Sequence, residues 1–506
     1  EYVRGNNVFT THTPIDAGNE VFSLERMSEY FTPYAQAMGI SWQDFLNMGH
    51  FEGSERTIFE MTVLALQYSY RANGVSALHG HVARNMWHQG WKRISSTEVP
   101  IGSVTNGVHI LSYAGNAIRM LMYRELGTDW YNMAPDDPLW NKIDEISYKQ
   151  LWEAKTIQKL ELLEFVKKGI SNVLTRMPIP HEQQKQILSN LEPSALVIGF
   201  ARRFAPYKRA NLLFADLDRL DRIVNDEKRP VIFIFSGKAH PADTQGGDIL
   251  QNVVTLSMDP RFIGKIFFIE DYDLEVSRAM VQGCDVWLNT PRRPYEASGT
   301  SGQKVPVNAG LNLSVSDGWW VEGFNGENGW TIGPTVGVNE VVHDQSDYND
   351  AMSLYRLLED NVIPLYFNRM SDGIPHGWIE YVRESMKTLI AQYSSGRMVS
   401  DYVKDYYQPA AERNSELVED DMALARRLAA WKSTVGGRFG TVKIKEIMIS
   451  GVDNEQQMLL NQDITAQITV YCGEMRPDEL LVQLVVGAGD NDFASMPHSV
   501  NLTSVD

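Results

Sequence analysis

Four short apolar runs in the middle of the chain, separated by helix-length segments, constrain the fold more than any other feature. They read SALVIGF, RPVIFIF, GKIFFIE and CDVWLNT and begin at residues 194, 229, 264 and 284. Strands with one wet face alternate polar and apolar residues, whereas parallel strands covered on both faces are apolar throughout. The pattern therefore predicts an α/β fold with a doubly wound parallel sheet.

Polar residues follow each of these runs. Ligands of doubly wound sheets bind beyond the carboxyl ends of the strands, and those ends share one edge of the sheet. We therefore expect the four polar tails to meet at one rim. They comprise residues 202–203, 236–238, 270–272 and 289–294.

The regions on either side of the sheet have other patterns. Residues 1–106 contain helical segments, including SLERMSEYFTPYAQAMG after Ser23 and GSERTIFEMTVLALQYSYRANG up to Gly74, and another helical stretch spans about 139–190. After about residue 437, GTVKIKEIMISG, DITAQITVYCG and ELLVQLVVGAG have no helices between them, which predicts a small antiparallel β domain. We expect three domains, at 1–106, 107–436 and 437–506, in a chain that looks cut at both ends.

Composition excludes several classes of function. The 64 acidic residues outnumber the 46 Lys and Arg, for a net charge of -18, which argues against a nucleic-acid partner. No apolar run approaches the roughly 20 residues of a membrane span. Cys284 and Cys472 are the only cysteines, which favours a reducing compartment, the cytoplasm. Neither H-E-x-x-H nor C-x-x-C occurs, so no metal is predicted.

The segment from Glu296 to Lys304 reads EASGTSGQK and directly follows the fourth run. Its small residues can turn backbone N–H groups toward an anion, with Lys304 about one helical turn beyond. Because Pro306 would interrupt a helix, any helix here is expected to be distorted or to begin later. Glycine-rich turns with a following Lys are also common elsewhere, so the residues alone leave its role open.

A cationic cluster follows the first run, in GFARRFAPYKRA. Its four cations reverse the sign of an acidic chain locally, and dianionic phosphates need such charge when they are desolvated. A plain solvated turn is the alternative reading. The cations are Arg202, Arg203, Lys208 and Arg209.

Both segments resemble the α-glucan phosphorylases, the family of the glycogen, starch and maltodextrin enzymes. The family patterns are E-A-S-G-T-x-x-x-K, followed by small residues and D-G, and K-R-x-x-x-Y-K-R. The resemblance runs in order from about residue 10 to about 413 and is closest to the short, unregulated bacterial or archaeal type. It implies a GT-B glycosyltransferase fold with two Rossmann-like domains, of which 1–106 is an incomplete first and 107–436 a cofactor-binding second.

The resemblance also implies roles for individual residues. Lys304 would hold pyridoxal 5'-phosphate as a Schiff base, and Arg203 and Lys208 would bind substrate phosphate. Further cofactor contacts are implied for Gly299, Thr300, Ser301, Arg202 and Tyr272. The segments THTP, ANGVSALHGH and VTNGVH resemble sugar-site segments of the family. The implied sugar-site residues are His12, Val75, Asn106, Tyr207, Glu296, Ser298 and Gly299.

Three positions depart from the family. Arg202 stands where the family commonly has Lys, so a forked donor replaces a point charge. Tyr113 stands in for the Trp that stacks on the cofactor. Asp273 replaces an Arg, which removes a positive charge near Tyr272.

The implied function is phosphorolysis of an α-1,4-glucan to glucose 1-phosphate with retention, by an enzyme that the family would make a homodimer. Inorganic phosphate would be the second substrate. One alternative is a nucleotide-sugar glucosyltransferase such as a glycogen synthase, which would have Glu in place of Lys304. Another is a non-catalytic carbohydrate-binding protein that retains the fold. A transaminase is a more distant alternative, because it would not need Arg203 and Lys208.

Overall fold

The computed structural model of the chain describes residues 1–51, 57–92, 94–340, 346–451, 463–486 and 498–503. The strands are β1 (Val8–Thr10), β2 (Val21–Ser23), β3 (Ile58–Glu60), β4 (Arg71–Gly74), β5 (Ile101–Ser103), β6 (Leu196–Ala201), β7 (Val231–Ser236), β8 (Ile266–Ile269), β9 (Val286–Asn289), β10 (Leu311–Val315), β11 (Gly329–Ile332), β12 (Lys443–Ser450), β13 (Thr465–Tyr471), β14 (Gln483–Val486) and β15 (His498–Asn501).

The helices alternate with these strands through most of the chain. They are α1 (Tyr2–Asn6), α2 (Leu24–Ala37), α3 (Trp42–Asn47), α4 (Met61–Gln67), α5 (Ala77–Trp87), α6 (Ile110–Tyr113), α7 (Asn116–Leu126), α8 (Tyr148–Leu174), α9 (His181–Ser189), α10 (Leu217–Val224), α11 (Thr244–Ser257), α12 (Leu274–Gly283), α13 (Thr300–Gln303), α14 (Trp320–Gly323), α15 (Asp347–Leu357), α16 (Ile363–Phe367), α17 (His376–Leu389), α18 (Ser395–Tyr402) and α19 (Gln408–Arg438).

The predicted doubly wound sheet is present and contains six parallel strands in the order β11-β10-β9-β6-β7-β8. The four predicted strands are β6 to β9, and β10 and β11 extend the sheet. From β6 the chain builds outward to β7 and β8, then returns to the other side of β6 to place β9. This reversal between β6 and β9 is a topological switch point, where the crevice of such a sheet receives ligands.

Both faces of the central sheet are covered, which explains why its strands are apolar throughout. Every residue of β6, β7, β9 and β10 is buried. Alternate residues belong to two separate apolar clusters: Ile198 and Leu288 pack into one, and Val197 and Trp287 into the other. Burial of each large apolar side chain contributes roughly 1.5–3 kcal/mol, so the sheet provides a rigid support for its carboxyl rim.

The first region contains a three-stranded parallel sheet in the order β1-β4-β5. Helix α2 begins after Ser23, whose side chain accepts a hydrogen bond from the Arg26 N–H, as predicted. The helix predicted up to Gly74 is confirmed only at α4; the described residues on either side of it form β3 and β4, and residues 53–56 lie outside the described residues. Strand β4 is drawn between β1 and β5, and at Gly74 it passes so close to α5 that a Cβ would lie 2.7 Å from the Gly80 nitrogen. Tertiary pairing therefore overrides the helical spacing.

The last helices return to the first region. The Tyr402 hydroxyl on α18 accepts a hydrogen bond of 2.9 Å from Asn73 on β4, and α1 packs on α19.

Beyond α19, the strands pair as predicted in antiparallel fashion, β12 with β13 and β14 with β15. Cys284 and Cys472 are both free. Among the described residues, no helix is both long enough and apolar enough to cross a bilayer.

Candidate active site

A buried group of charges lies at the switch point. Arg202, directly after β6, donates hydrogen bonds to the Asn289 side chain at the end of β9 and, at 2.6 Å, to Glu296. Glu296 also accepts from the Lys208 ammonium at 3.0 Å. These side chains are only 8–10% exposed. We call Arg202, Lys208 and Glu296 the rim triad.

The turn that carries Lys208 is fastened to the loop after β9. The Thr290 hydroxyl donates to the backbone carbonyls of Lys208 and Arg209, both at 3.1 Å. Arg209 has a φ of 46° and donates to the carbonyls of Thr290 and Pro291, at 3.0 and 2.7 Å. Its guanidinium also pairs with Asp350 at 2.7 Å. Of the four cations in the predicted cluster, Arg209 therefore braces the loop instead of facing the rim.

Asp317, a residue that the sequence reasoning missed, holds the Glu296 loop from the end of β10. Its carboxylate accepts from the N–H groups of Glu296 and Gly318, at 3.0 and 2.8 Å. Gly318 has a φ of 53°, and a Cβ there would lie 2.3 Å from the Ser298 carbonyl oxygen. That close approach lets the Trp319 N–H donate to the same oxygen at 2.8 Å. A signal was available, because Asp317 follows the apolar run LNLSV as the other rim residues follow theirs.

The close packing of charges shifts three pKa values. Burial would raise the pKa of Glu296, but the charges of Arg202 and Lys208 bring it below its ordinary value. Burial, together with the charge of Arg202, lowers the pKa of Lys208 to about 8. Burial and the neighbouring Glu296 carboxylate raise the pKa of Asp317 to about 8. Near neutral pH, Glu296 is therefore ionised, whereas Lys208 and Asp317 titrate just above neutrality.

Lys304 follows α13, a helix of only four residues, and a 3-10 turn starts at Pro306. The distortion expected from Pro306 is therefore present. The Lys304 ammonium lies 4.2 Å from the centroid of the Tyr113 ring and makes no ion pair or hydrogen bond within the described part of the chain. Asn308 fixes this arrangement, because its amide donates to the carbonyls of Lys304 and Tyr113, at 2.9 and 3.0 Å.

The first region contributes the loops after β4 and β5. The Ser76 hydroxyl, which caps α5, donates to the Ala297 carbonyl at 2.7 Å. The Asn106 N–H donates to the Val75 carbonyl at 3.1 Å, and the Gln303 amide donates to the Asn106 carbonyl at 2.8 Å. Val75 and Asn106, which the resemblance placed at the sugar site, therefore lie against the loop that carries Glu296 and Lys304.

His12 is exposed on the turn after β1 and lies close to His79. Burial, with a smaller contribution from the nearby His12, lowers the pKa of His79 to about 4. His79 is therefore neutral, and its Nδ1 accepts from the Val75 N–H at 3.1 Å. This ring ties the turn after β4 to the first turn of α5.

The remaining predicted residues lie along the same edge of the sheet. Arg203 is exposed beside Tyr207, whose ring centroid lies 4.9 Å from the Lys208 ammonium. Tyr272 follows the edge strand β8 and packs, half-buried, on the same apolar cluster as Tyr113. Asp273, which replaces a family Arg, caps α12 by accepting from the Val276 N–H at 2.9 Å.

Several features around the EASGTSGQK loop fit a phosphorylated aldehyde such as pyridoxal phosphate. Arg202 Nε, Ser298 Oγ and Gln303 Oε1 are buried without a hydrogen-bond partner in the described structure. A buried polar atom without a partner costs about 1–3 kcal/mol, which a ligand can offset. The Lys304 amine is likewise unpaired, and Gly299, with a φ of 87°, starts the turn between Ser298 and Lys304. The loop thus combines an amine, cationic charge and unused polar atoms.

Comparison with known proteins matches residues 25–408 to the carbohydrate phosphorylase family. The chain is 38% identical to a maltodextrin phosphorylase of Thermococcus litoralis over 502 residues, which is 99% of this chain and 57% of the relative. It is 35% identical to a glycogen phosphorylase of Mycobacterium tuberculosis, covering 96% of this chain and 56% of the relative. A glycogen phosphorylase of Aquifex aeolicus is 38% identical over 80% of this chain and 58% of the relative.

The chain therefore spans less than three fifths of the length of each of these relatives. The family match ends at residue 408, but the Thermococcus comparison covers nearly the whole chain, so the region after α18 is also shared with that relative. The family match covers well over half of the chain and includes the rim triad and the EASGTSGQK loop. On this ground the chain belongs to the carbohydrate phosphorylase family.

Proposed function

We propose that the protein is an α-1,4-glucan phosphorylase, which transfers the terminal glucose of glycogen or maltodextrin to inorganic phosphate. The product is glucose 1-phosphate with retained configuration. The observation that carries the proposal is the rim triad at the switch point, whose Glu296 is on the same loop as the unpaired Lys304 amine. The names of the relatives, maltodextrin phosphorylase and glycogen phosphorylase, support the same activity.

The substrate phosphate is held by Arg203 and Lys208 in this proposal. Lys208 is buried and Arg203 is exposed beside Tyr207, so together they offer charge at the mouth and at the base of the site. Phosphate loses hydration when it enters such a site, and charge-assisted hydrogen bonds offset that loss. Arg202 adds a third positive charge, and the Glu296 carboxylate keeps the cluster from being strongly cationic when no phosphate is bound.

Pyridoxal 5'-phosphate is the proposed cofactor, held by the Lys304 amine, by Gly299, Thr300 and Ser301, and by Arg202 and Tyr272. When bound, it supplies a phosphate group that can exchange a proton with the substrate phosphate or polarise it. Tyr113 supplies the aromatic surface beside the Lys304 amine. The residues of the chain orient the two phosphates and exclude water around them.

Sugar recognition is assigned to both sides of a cleft between residues 1–106 and residues 107–436. Asn106, Val75 and His12 contribute from the first region, and Tyr207, Glu296, Ser298 and Gly299 from the second. The substrate phosphate donates its proton to the glycosidic oxygen, the bond from that oxygen to the anomeric carbon breaks, and a phosphate oxygen bonds to the same face of that carbon. Glu296 and the Asn106 amide hold the sugar while positive character develops in its ring.

The same proposal includes the organisation of the protein. Residues 1–106 and 107–436 form the two walls of the cleft, and residues 437–506 form a small β domain. The enzyme works in the cytoplasm as a homodimer.

The test is to incubate the intact protein with maltodextrin and inorganic phosphate and to assay glucose 1-phosphate. We expect product from the wild type and none from Lys304→Ala, because the substitution removes the cofactor's anchor. Borohydride reduction followed by peptide mass spectrometry should find a pyridoxyl group on Lys304. An unlabelled protein that instead transfers glucose from a nucleotide sugar would establish the glucosyltransferase alternative.

A further inference from the structure

Gln303 links the loop that carries Lys304 to the first region. It is the last residue of α13 and is only 3% exposed. Its amide nitrogen donates to the backbone carbonyl of Asn106 at 2.8 Å. Because that carbonyl can only accept, the NH2 group of Gln303 must face it, which leaves the amide oxygen, Oε1, without a partner.

The backbone of Asn106 is held while its side chain remains unused. Its N–H donates to the Val75 carbonyl at 3.1 Å, and its carbonyl accepts from Gln303. The half-buried Asn106 side chain makes no hydrogen bond within the described residues. A fixed backbone with an unused carboxamide is the arrangement that a recognition residue needs, because its orientation is set before the ligand arrives.

Among the residues that the structure describes, one other side chain hydrogen-bonds this carbonyl, and it contributes less. Arg397 reaches the Asn106 carbonyl at 3.5 Å, but its shorter contacts go to the Thr105 carbonyl at 2.6 Å and to Asp401 at 2.7 Å. Hydrogen bonds weaken steeply near 3.5 Å, so Gln303 is the principal support of the Asn106 carbonyl.

We propose that Gln303 is a positioning residue that aims the Asn106 carboxamide at the glucose unit and couples the sugar loop to the loop of Lys304. The inference rests on the proposed function, in which Asn106 contacts the sugar. It assigns Gln303 no contact with the reacting atoms.

The experiment compares the wild type, Gln303→Met, Asn106→Ala and the double variant in the intact protein, with maltoheptaose and inorganic phosphate as substrates. Met has nearly the length of Gln but no donor, so we expect KM for maltoheptaose to rise about five- to tenfold with little change in kcat. If Gln303 acts through Asn106, adding Gln303→Met to Asn106→Ala should raise KM less than twofold further. A merely structural role would instead give additive effects.

A second variant, Gln303→Glu, provides a pH readout. An ionised Glu cannot donate to the Asn106 carbonyl, whereas a protonated one can. We therefore expect its defect in KM, relative to the wild type at the same pH, to shrink as the pH falls from 8 to 5.5. Gln392→Met, at an exposed position, is the matched control and should leave KM unchanged.

The outcomes separate the inference from the proposed function. Cofactor absorbance and calorimetric binding of maltoheptaose are measured for every variant. Cofactor content and glucan affinity are therefore known independently of the turnover rate. A wild type that forms glucose 1-phosphate, with an unchanged KM in Gln303→Met or with additive effects in the double variant, would overturn the inference alone. A wild type that neither binds maltoheptaose nor forms the product would overturn both.

Discussion

Two buried groups of charge lie at opposite ends of the same strands and have the same composition: two cations and one carboxylate. The rim triad lies at the carboxyl ends of β6 and β9. The second group lies at their amino ends, where Asp285 directly precedes β9 and accepts from the Val197 N–H of β6 at 2.9 Å. We call Lys155, Lys159 and Asp285 the sealed triad.

The sealed triad satisfies its ammonium groups completely. Lys155 donates to the carbonyls of Gln282, Cys284 and Asn308, at 3.0, 2.6 and 3.1 Å. Lys159 pairs with Asp285 at 2.6 Å and also donates to the Tyr366 hydroxyl and the Ala195 carbonyl. An ammonium group has three donors, so neither Lys has one left for a ligand.

The rim triad leaves donors unused. Arg202 Nε has no partner within the described structure, and both hydrogen bonds of the Lys208 ammonium go to the single carboxylate of Glu296. The exposed Arg203 lies next to this group along the chain. Equal charge and similar burial thus serve two purposes. The number of unused donors and access from solvent distinguish a structural charge cluster from one that can bind a ligand.

The largest expected effect comes from breaking the sealed triad. Asp285→Asn would leave two buried ammonium groups without a counter-charge, so we expect the free energy of unfolding to fall by about 3–5 kcal/mol. Urea denaturation measures this loss. Glu182→Gln, in an exposed pair with Lys185, is the control and should change stability by less than about 0.5 kcal/mol. A loss below about 1 kcal/mol for Asp285→Asn would contradict the structural role.

Breaking the rim triad should affect activity instead of stability. For Lys208→Met we expect kcat/KM for phosphate to fall about 10²–10³-fold, because the proposed function places this buried cation against the transferred group. Stability should change by no more than about 1 kcal/mol, because Arg202 still neutralises Glu296. Steady-state kinetics and urea denaturation of the same preparation test both statements. A large loss of stability with unchanged kinetics would make the rim triad structural as well.

The pH dependence of stability and of kcat/KM for phosphate should distinguish Lys155 from Lys208. Burial lowers the pKa of both lysines to about 8. A lysine whose pKa is lower in the folded protein than in the unfolded chain reduces the free energy of unfolding below about pH 8. This reduction disappears as the pH rises to the ordinary lysine pKa near 10.5. Only deprotonation of Lys208 should weaken phosphate binding, so kcat/KM for phosphate should decline through about pH 8. Lys208→Arg stays charged and should move that decline to higher pH. An unmoved profile would assign the decline to another group.

The smallest effect concerns Asp317, whose raised pKa links the Glu296 loop to pH. Its folded pKa of about 8 exceeds the ordinary 3.8, so its stabilising contribution is present below about pH 4 and is lost as the pH rises through about 8. We expect Asp317→Asn to flatten this decline, because an amide does not titrate. Thermal denaturation between pH 5 and 8.5 measures the slope. A slope equal to that of the wild type would contradict the raised pKa.

Much of the fold followed from local pattern. The structure agrees with the sequence-based predictions at three places: strands β6 to β9, the start of α2 at Ser23 and the antiparallel tail. The family match confirms the α/β GT-B class. The segment up to Gly74 did not follow, because its apolar spacing fits a helix equally well and only pairing with β1 and β5 makes β4 a strand.

The candidate site was predictable to a lesser degree. The resemblance located Glu296, Lys304 and the cationic turn, and the structure brings Val75 and Asn106 against the same loop. The resemblance did not indicate that Arg209 would turn away from the rim to bind the Thr290 and Pro291 carbonyls, because neighbouring cations cannot be distinguished by sequence alone.

The sequence by itself determined which segments become buried strands, and therefore that their polar tails share one rim, because apolar burial depends on residue type and spacing. The tertiary structure alone decided which charges at that rim keep unused donors. Lys155 and Lys208 are both buried lysines beside a carboxylate, yet three backbone carbonyls surround the first and none is within hydrogen-bond distance of the second in the described residues. Hydrogen-bond saturation depends on how distant segments meet, and that information is not local.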